Sequence, residues 1–219
     1  PTRPQGPVLS SSQGALIMRN TTIEKAIIGA YATRLYTSPS ASLQVNDSFN
    51  GGIIQAGNSQ FINNKIDVMF RKYNNFNPNT GNALNNVSVF TNSNFITNRK
   101  VYPLSAVLPY PIHAMVWETD GIRFRGCDFR NDSTQYYTLT TRGMGIWASN
   151  ARIVAEGLCP TLLCNSNVDS TRFVRLGFGV FVSNANAQKN TRIERSVFDN
   201  VWRGATLRNS NNSIVVNNR

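Results

Sequence analysis

Short apolar runs separated by polar, Asn-rich turns recur along most of the chain. In residues 192–218 an apolar Phe198 is followed two places on by Asn200, and then by a strand-like Gly204-Ala-Thr-Leu. An Asn/Ser turn, a second strand at Ser213-Ile-Val-Val and Asn217-Asn218 complete the unit. The same order returns in SQFINNKIDVMF (59–70), NSNFITN (92–98), RGCDFRN (125–131) and STRFVRLGFGVFVSN (170–184). NTTIEKAIIGA (20–30) fits if Ile23 takes the place of Phe. With Ile23, Phe61, Phe95, Phe129, Phe173 and Phe198 taken as equivalent, the intervals are 38, 34, 34, 44 and 25 residues. The shortest is near the minimum for a three-sided coil of strands, and the longer ones carry loops. Stacked coils place like residues on like. Asn suits the turns because it tolerates left-handed backbone and hydrogen-bonds its neighbours. Gly29, Gly145, Gly179 and Gly204, each leading into an apolar strand, are predicted to mark corners.

The pattern predicts an all-β chain: a right-handed parallel β-helix (solenoid) with irregular loop insertions over 15–219, preceded by an N-terminal extension or linker at 1–14. ALIMRN is expected as one strand and TTIEKAIIGAYA as the next two, with further strands in 51–75, 87–98, 121–131 and 142–155. Loops are expected at 37–50, 74–86, 101–112, 131–141 and 157–169. In VYPLSAVLPYPIHAMVW (101–117) three close prolines exclude a central strand over 103–111, and a strand resumes near residues 113 to 117. No stretch has a convincing helical period, although IEKAIIGAYATRLY (23–36) comes nearest.

Composition agrees. Of the 219 residues 41% are hydrophobic and only 15% charged, with an excess of Asn, Ser and Thr that disfavours helices. The formal charge is +11, and 17 of the 22 basic residues are Arg, which favours an anionic partner. No run approaches the roughly 20 apolar residues of a membrane span. The N-terminus lacks a signal-like pattern and an initiator Met, and the chain stops just after a repeat-like strand, so it reads as an excised piece of a longer protein. Cys159 and Cys164, in GLCPTLLCN, are a candidate disulfide if the protein is exported, or two reduced thiols if it is not. Cys127, beside Phe129, is expected to point into the core. With His113 as the only histidine, no zinc spacing exists, and neither a metal nor a cofactor is expected.

These residues resemble the right-handed parallel β-helix proteins of bacterial cell surfaces, the pectate-lyase-like superfold. More narrowly, ALIMRNTTIEKAIIGA, SQFINNKI and DGIRFRGCDFRN resemble the repeat-rich secreted proteins of Bacteroidota, many of them similar to cargo of the type IX secretion system. The resemblance implies a secreted or cell-surface protein. Its partners would be secretion machinery or neighbouring domains of the parent chain, and a sorting domain would follow Arg219.

Candidate chemistry is sparse. Glu118 and Asp120 (WETDG), two apart, would share one face if they lie on a strand, whereas the bland alternative is a solvated turn into Gly121. No Asp-Asp doublet or three-Asp calcium cluster appears. His113 is a weak candidate base, and a lone His in a Pro-rich segment is more often structural. The Arg pattern says more. Arg123 and Arg192 each lie six residues before a reference Phe, and Arg71 and Arg208 each lie ten after one; Arg34 lies eleven after Ile23. On stacked coils such offsets become columns, so Arg71, Arg123, Arg125, Arg192, Arg203 and Arg208 could line a basic stripe for an acidic polysaccharide. Trp117, Trp147 and Trp202 serve either as stacking platforms or in packing, and Trp202 is expected to be the most exposed. Nucleic acid is the less favoured anion: it calls for exposed aromatics among the basic residues, and packing is the better reading of each Trp. The leading expectation is a structural or adhesive module that binds anionic glycans. The alternatives are a polysaccharide lyase or glycoside hydrolase on an exposed face, and a subunit of an extracellular filament.

Overall fold

The computed structural model describes residues 15–33, 52–71, 88–101, 110–159, 168–185, 189–211 and 213–219. Over these residues the chain is a right-handed parallel β-helix with three short strands per turn. The first coil holds β1 (Ala15–Arg19), β2 (Thr22–Glu24) and β3 (Ile28–Ala32), and the second β4 (Ile53–Gly57), β5 (Gln60–Ile62) and β6 (Ile66–Phe70). The third holds β7 (Ser88–Thr91), β8 (Asn94–Thr97) and β9 (Ile112–Trp117), and the fourth β10 (Ile122–Arg125), β11 (Asp128–Asn131) and β12 (Met144–Ser149). The fifth holds β13 (Ile153–Glu156), β14 (Thr171–Val174) and β15 (Phe178–Ser183). The sixth holds β16 (Thr191–Glu194), β17 (Ser196–Asp199) and β18 (Arg203–Arg208), and β19 (Ile214–Val216) follows. Each strand pairs in parallel with the strand three later. Sheet A therefore runs β1-β4-β7-β10-β13-β16-β19, sheet B β2-β5-β8-β11-β14-β17, and sheet C β3-β6-β9-β12-β15-β18. The N-terminal extension at 1–14, Arg34 and Cys164 lie outside the described residues, as do most of the expected loops at 37–50, 74–86, 101–112 and 157–169. The expected 131–141 loop is described, and contains a single 3₁₀ turn at Thr134–Tyr136.

The six residues aligned in the sequence meet in register: Ile23 pairs with Phe61, Phe61 with Phe95, Phe95 with Phe129, Phe129 with Phe173, and Phe173 with Phe198. The five phenyl rings form one stack down the interior, with successive centroids 4.9, 4.5, 5.0 and 5.0 Å apart and nearly parallel planes. Each stacked pair adds about 0.5–1.5 kcal/mol beyond the burial of its area.

Two polar ladders hold the corner between sheets A and B. Asn20, Asn58, Asn92 and Asn217 take left-handed backbone there, with φ of 51°, 49°, 46° and 54°. Asn tolerates this conformation better than branched residues do. The amides of Asn20, Asn58 and Asn92 each donate to a carbonyl of the next coil at 3.0 Å. One residue further in, Thr21, Ser59, Ser93, Cys127, Thr171 and Ser196 form an inward column of small side chains. Ser59 and Ser93 each donate to the carbonyl two residues back at 3.1 Å, while the hydroxyls of Ser59, Ser93 and Thr171 accept the amides of Thr21, Ser59 and Cys127. Cys127 therefore stands where other coils place a hydroxyl. It is a free, fully buried thiol whose pKa burial pushes up to about 12, leaving it unreactive. Cys127→Ser is expected to change the unfolding free energy by less than about 1 kcal/mol, because the donor and acceptor it needs are already in place. Urea denaturation checks this, and a loss of several kcal/mol would contradict the ladder.

A second column runs through the start of sheet C. Strand register aligns Gly29, Asp67, His113, Gly145, Gly179 and Gly204. The glycines are there because the Phe stack and the next coil leave no room. A Cβ on Gly179 would lie 2.5 Å from the Gly204 carbonyl oxygen and 2.7 Å from the Phe198 ring, and one on Gly145 would meet Gly179 and Phe173 at 2.5 and 2.6 Å. The four glycines predicted as corners are thus one column lying within the strands. In the second and third coils it is occupied by a buried Asp–His pair instead.

Candidate functional site

Beyond the glycine column the strands of sheet C alternate. Val68, Ala114, Ile146 and Val180, with Phe70, Val116, Ala148 and Val182, face the core. The intervening residues face outward in three columns. The first runs Ile66, Ile112, Met144, Phe178, Arg203; the second runs Met69, Met115, Trp147, Phe181, Thr206. In the third, Trp117, Ser149, Ser183 and Arg208 are in register, and Arg71 follows the end of β6 beside Trp117. A polar outer face is usual for a half-solvated sheet, yet this one is aromatic and apolar. Ile66, Met69, Ile112, Met115 and Met144 pack as a separate buried cluster, flanked by half-buried Trp147, Phe178 and Phe181.

Arginines lie against the aromatic rings of this face. The Arg71 guanidinium is 5.3 Å from the Trp117 ring centroid, Arg208 is 5.4 Å from Phe181, and Arg203 is 4.3 Å from Trp202 and 5.8 Å from Phe178. Trp117 and Trp202 remain 38% and 41% exposed, so the rings are accessible as well as paired. Arg71, Arg203 and Arg208 have no carboxylate within ion-pair distance among the described residues. A shallow hollow of about 30 Å³ opens on the same face, lined by Met115, Val116, Trp117, Trp147 and Ser149.

The six candidate arginines do not form one stripe. Arg123 and Arg192 do occupy one column, as their offsets implied, but on sheet A and with Val154 between them. Arg125 is ion-paired with Glu156 at 3.0 Å, and Arg192 is hydrogen-bonded to Glu194, whose carboxylate holds the guanidinium charged. The partners of Arg125 and Arg192 are neighbours in register, so these arginines offset two stacked carboxylates. The two offsets, six before and ten after the reference Phe, fall on different sheets, so they mark separate columns and no single stripe.

The Glu118 and Asp120 pair lies in a turn leading to Gly121, the alternative to a shared strand face. Glu118 and Asp120 both lie in the corner between β9 and β10, where Glu118 has left-handed backbone with φ 50°. They do not share a strand face. Asp120 is held by the Lys189 ammonium and accepts the Arg152 amide at 3.0 Å. His113 is a strand residue of β9, 2% exposed, with Nδ1 2.6 Å from Asp67 Oδ2. Asn64 Nδ2 donates to the other Asp67 oxygen at 2.8 Å, while His113 Nε2 is buried without a hydrogen-bond partner. Burial pushes the Asp67 carboxyl above the ordinary carboxylate range, against the lowering effect of His113. Sealed beside the Phe stack, the pair is a structural element and is not open to a substrate. Asp67 went unnoticed in the sequence although its position was available there: it lies six residues after Phe61, as Gly29 does after Ile23, Gly179 after Phe173 and Gly204 after Phe198. Phe178 and Phe181, which carry Arg203 and Arg208, were also missed, because strand alternation alone does not say which apolar residues face out.

Cys159 is disulfide-bonded, and its expected partner, Cys164, lies outside the described residues. Among the described residues no three His, Cys, Asp or Glu side chains are grouped to hold a metal ion, and no helix is long and apolar enough to cross a membrane. No protein family, curated protein or solved structure matches the chain.

Proposed function

We propose that this chain is an adhesive β-helix module of a secreted or cell-surface protein, and that the outer face of sheet C binds an anionic glycan. The observation that carries this reading is the set of three arginines that lie over aromatic rings on one face and have no carboxylate partner among the described residues. An aromatic ring offers an apolar platform for the C–H face of a sugar, and an adjacent guanidinium binds a carboxylate or sulfate bidentately. The disulfide at Cys159 supports an oxidising, extracellular setting, where acidic glycans are the abundant anionic polymers and nucleic acids are not. The overall charge of +11 supports the same sign of partner. Because Asp120 is engaged by Lys189 and Glu118 sits in a corner, binding is better supported than hydrolysis or elimination.

An array of acidic glycans probed at low and high salt tests the reading. Binding to at least one is expected, weakening as salt rises. A charge-assisted hydrogen bond contributes about 1.5–3 kcal/mol, so Arg71→Ala, Arg203→Ala and Arg208→Ala should each lower affinity roughly tenfold or more. Arg123→Ala, on sheet A, should not. Failure to bind any acidic glycan, or equal losses from the sheet A and sheet C variants, would overturn the proposal.

A further inference from the structure

We infer that the glycan chain lies parallel to the β-helix axis, in a trough over Ser149 and Ser183 that ends at Arg71 and Trp117 on one side and at Arg208 on the other. The inference rests on the proposed glycan-binding reading and deepens it by giving the path of the ligand.

The trough follows from the unequal heights of two neighbouring columns. In one, Trp117, Ser149, Ser183 and Arg208 are stacked in register, so two small hydroxyl side chains lie between two tall residues. In the other, Met115, Trp147 and Phe181 stand alongside. The serines are a floor, Trp147 and Phe181 are a wall, and Trp117 and Arg208 close the ends. The hollow lined by Trp117, Trp147 and Ser149 is the upper part of this depression. Parallel strands are spaced by about 4.8 Å, so the three steps from Trp117 to Arg208 span roughly 14 Å. That length suits a short run of sugar rings laid end to end.

The chemistry suits an acidic, extended chain and no bulkier ligand. Both ends carry a guanidinium, over Trp117 and over Phe181, without a carboxylate partner among the described residues. The wall is aromatic and the floor offers hydroxyl donors and acceptors, which matches a pyranose with apolar faces and hydroxyl edges. Strand-wise binding is less suitable, because the first outward column presents Ile112 and Met144, which are 1% and 6% exposed.

Titration calorimetry with oligogalacturonate, a sulfated glycosaminoglycan and an oligothymidylate tests the path. Carboxylate and sulfate are separated by the first two probes, and either one binding wild-type protein more tightly than oligothymidylate supports the inference. Ser149→Trp and Ser183→Trp fill the floor and should each weaken that glycan at least tenfold. Ser149→Asp adds repulsion without bulk, should do the same, and remains informative if a tryptophan variant folds poorly. Glycan binding unchanged in all three folded variants would overturn the axial path while leaving the glycan reading intact. Absence of glycan binding by wild-type protein, or tighter binding of oligothymidylate, would overturn both.

Discussion

His113→Ala is expected to destabilise the protein by about 2–3 kcal/mol, because it leaves the Asp67 carboxyl buried and without its hydrogen-bond partner. Asp67 and His113 are 1% and 2% exposed, so water cannot replace the lost contact. Asp67→Gly/His113→Gly returns glycine to every position of the column, and it should be more stable than the His113→Ala single variant. Urea denaturation of the three proteins checks the order; a loss below about 1 kcal/mol in His113→Ala would show that the pair holds nothing together. The same pair sets a pH dependence. Burial raises the Asp67 carboxyl above its unfolded value of about 3.9, so the folded protein holds this proton more tightly than the unfolded chain does. Its contribution is fully present below that unfolded value and is lost as pH rises through the raised folded one. Asp67→Asn cannot ionise, so its stability should fall less than that of wild type as pH rises from about 4. Parallel curves for the two proteins would contradict the assignment.

Phe129→Ala is expected to have a larger effect, about 3–5 kcal/mol. Phe129 is fully buried and stacks between Phe95 and Phe173, with Phe124 edge-on at 5.3 Å. Removing it empties the middle of the stack, and paired strands on both sides keep the wall from collapsing into the gap. Phe198→Ala should cost distinctly less, since Phe198 is half-buried and has one stacked neighbour, Phe173. Denaturation midpoints for the two variants measure the difference. Equal losses would mean that burial of each ring matters and continuity of the stack does not.

The β-helix was legible because its repeat is written in residue types that serve one physical purpose. Phe at the stacked position and Asn at the left-handed corner recur in most coils, and the expected alignment of Ile23 with five phenylalanines is the register that forms. Uneven spacing did not obscure it, because the lengthened intervals fall between strands and leave each strand's own pattern intact. The glycines were recognised as special, yet read as corners; their common column appears only when coils are laid on one another.

The candidate site was legible in part. Arg71, Trp202, Arg203 and Arg208 were identified by offset and exposure, and all four lie on sheet C or at its margin. Arg123, Arg125 and Arg192 precede their reference Phe and lie on sheet A, and two of them are paired with glutamates. A periodic offset places like residues in one column, and it contains no information about which side chains stand beside that column. The chain alone therefore determined the repeat, the Phe register, the left-handed Asn corners and the excess of positive charge, each a consequence of local stereochemistry or composition. Only the tertiary structure decided which arginines are free of carboxylates among the described residues, that Asp67 meets His113 across 46 residues, and that Ser149 and Ser183 lie low between taller neighbours. Those facts depend on contacts between coils, and the distance along the chain from one coil to the next is set by insertions that carry no repeat of their own.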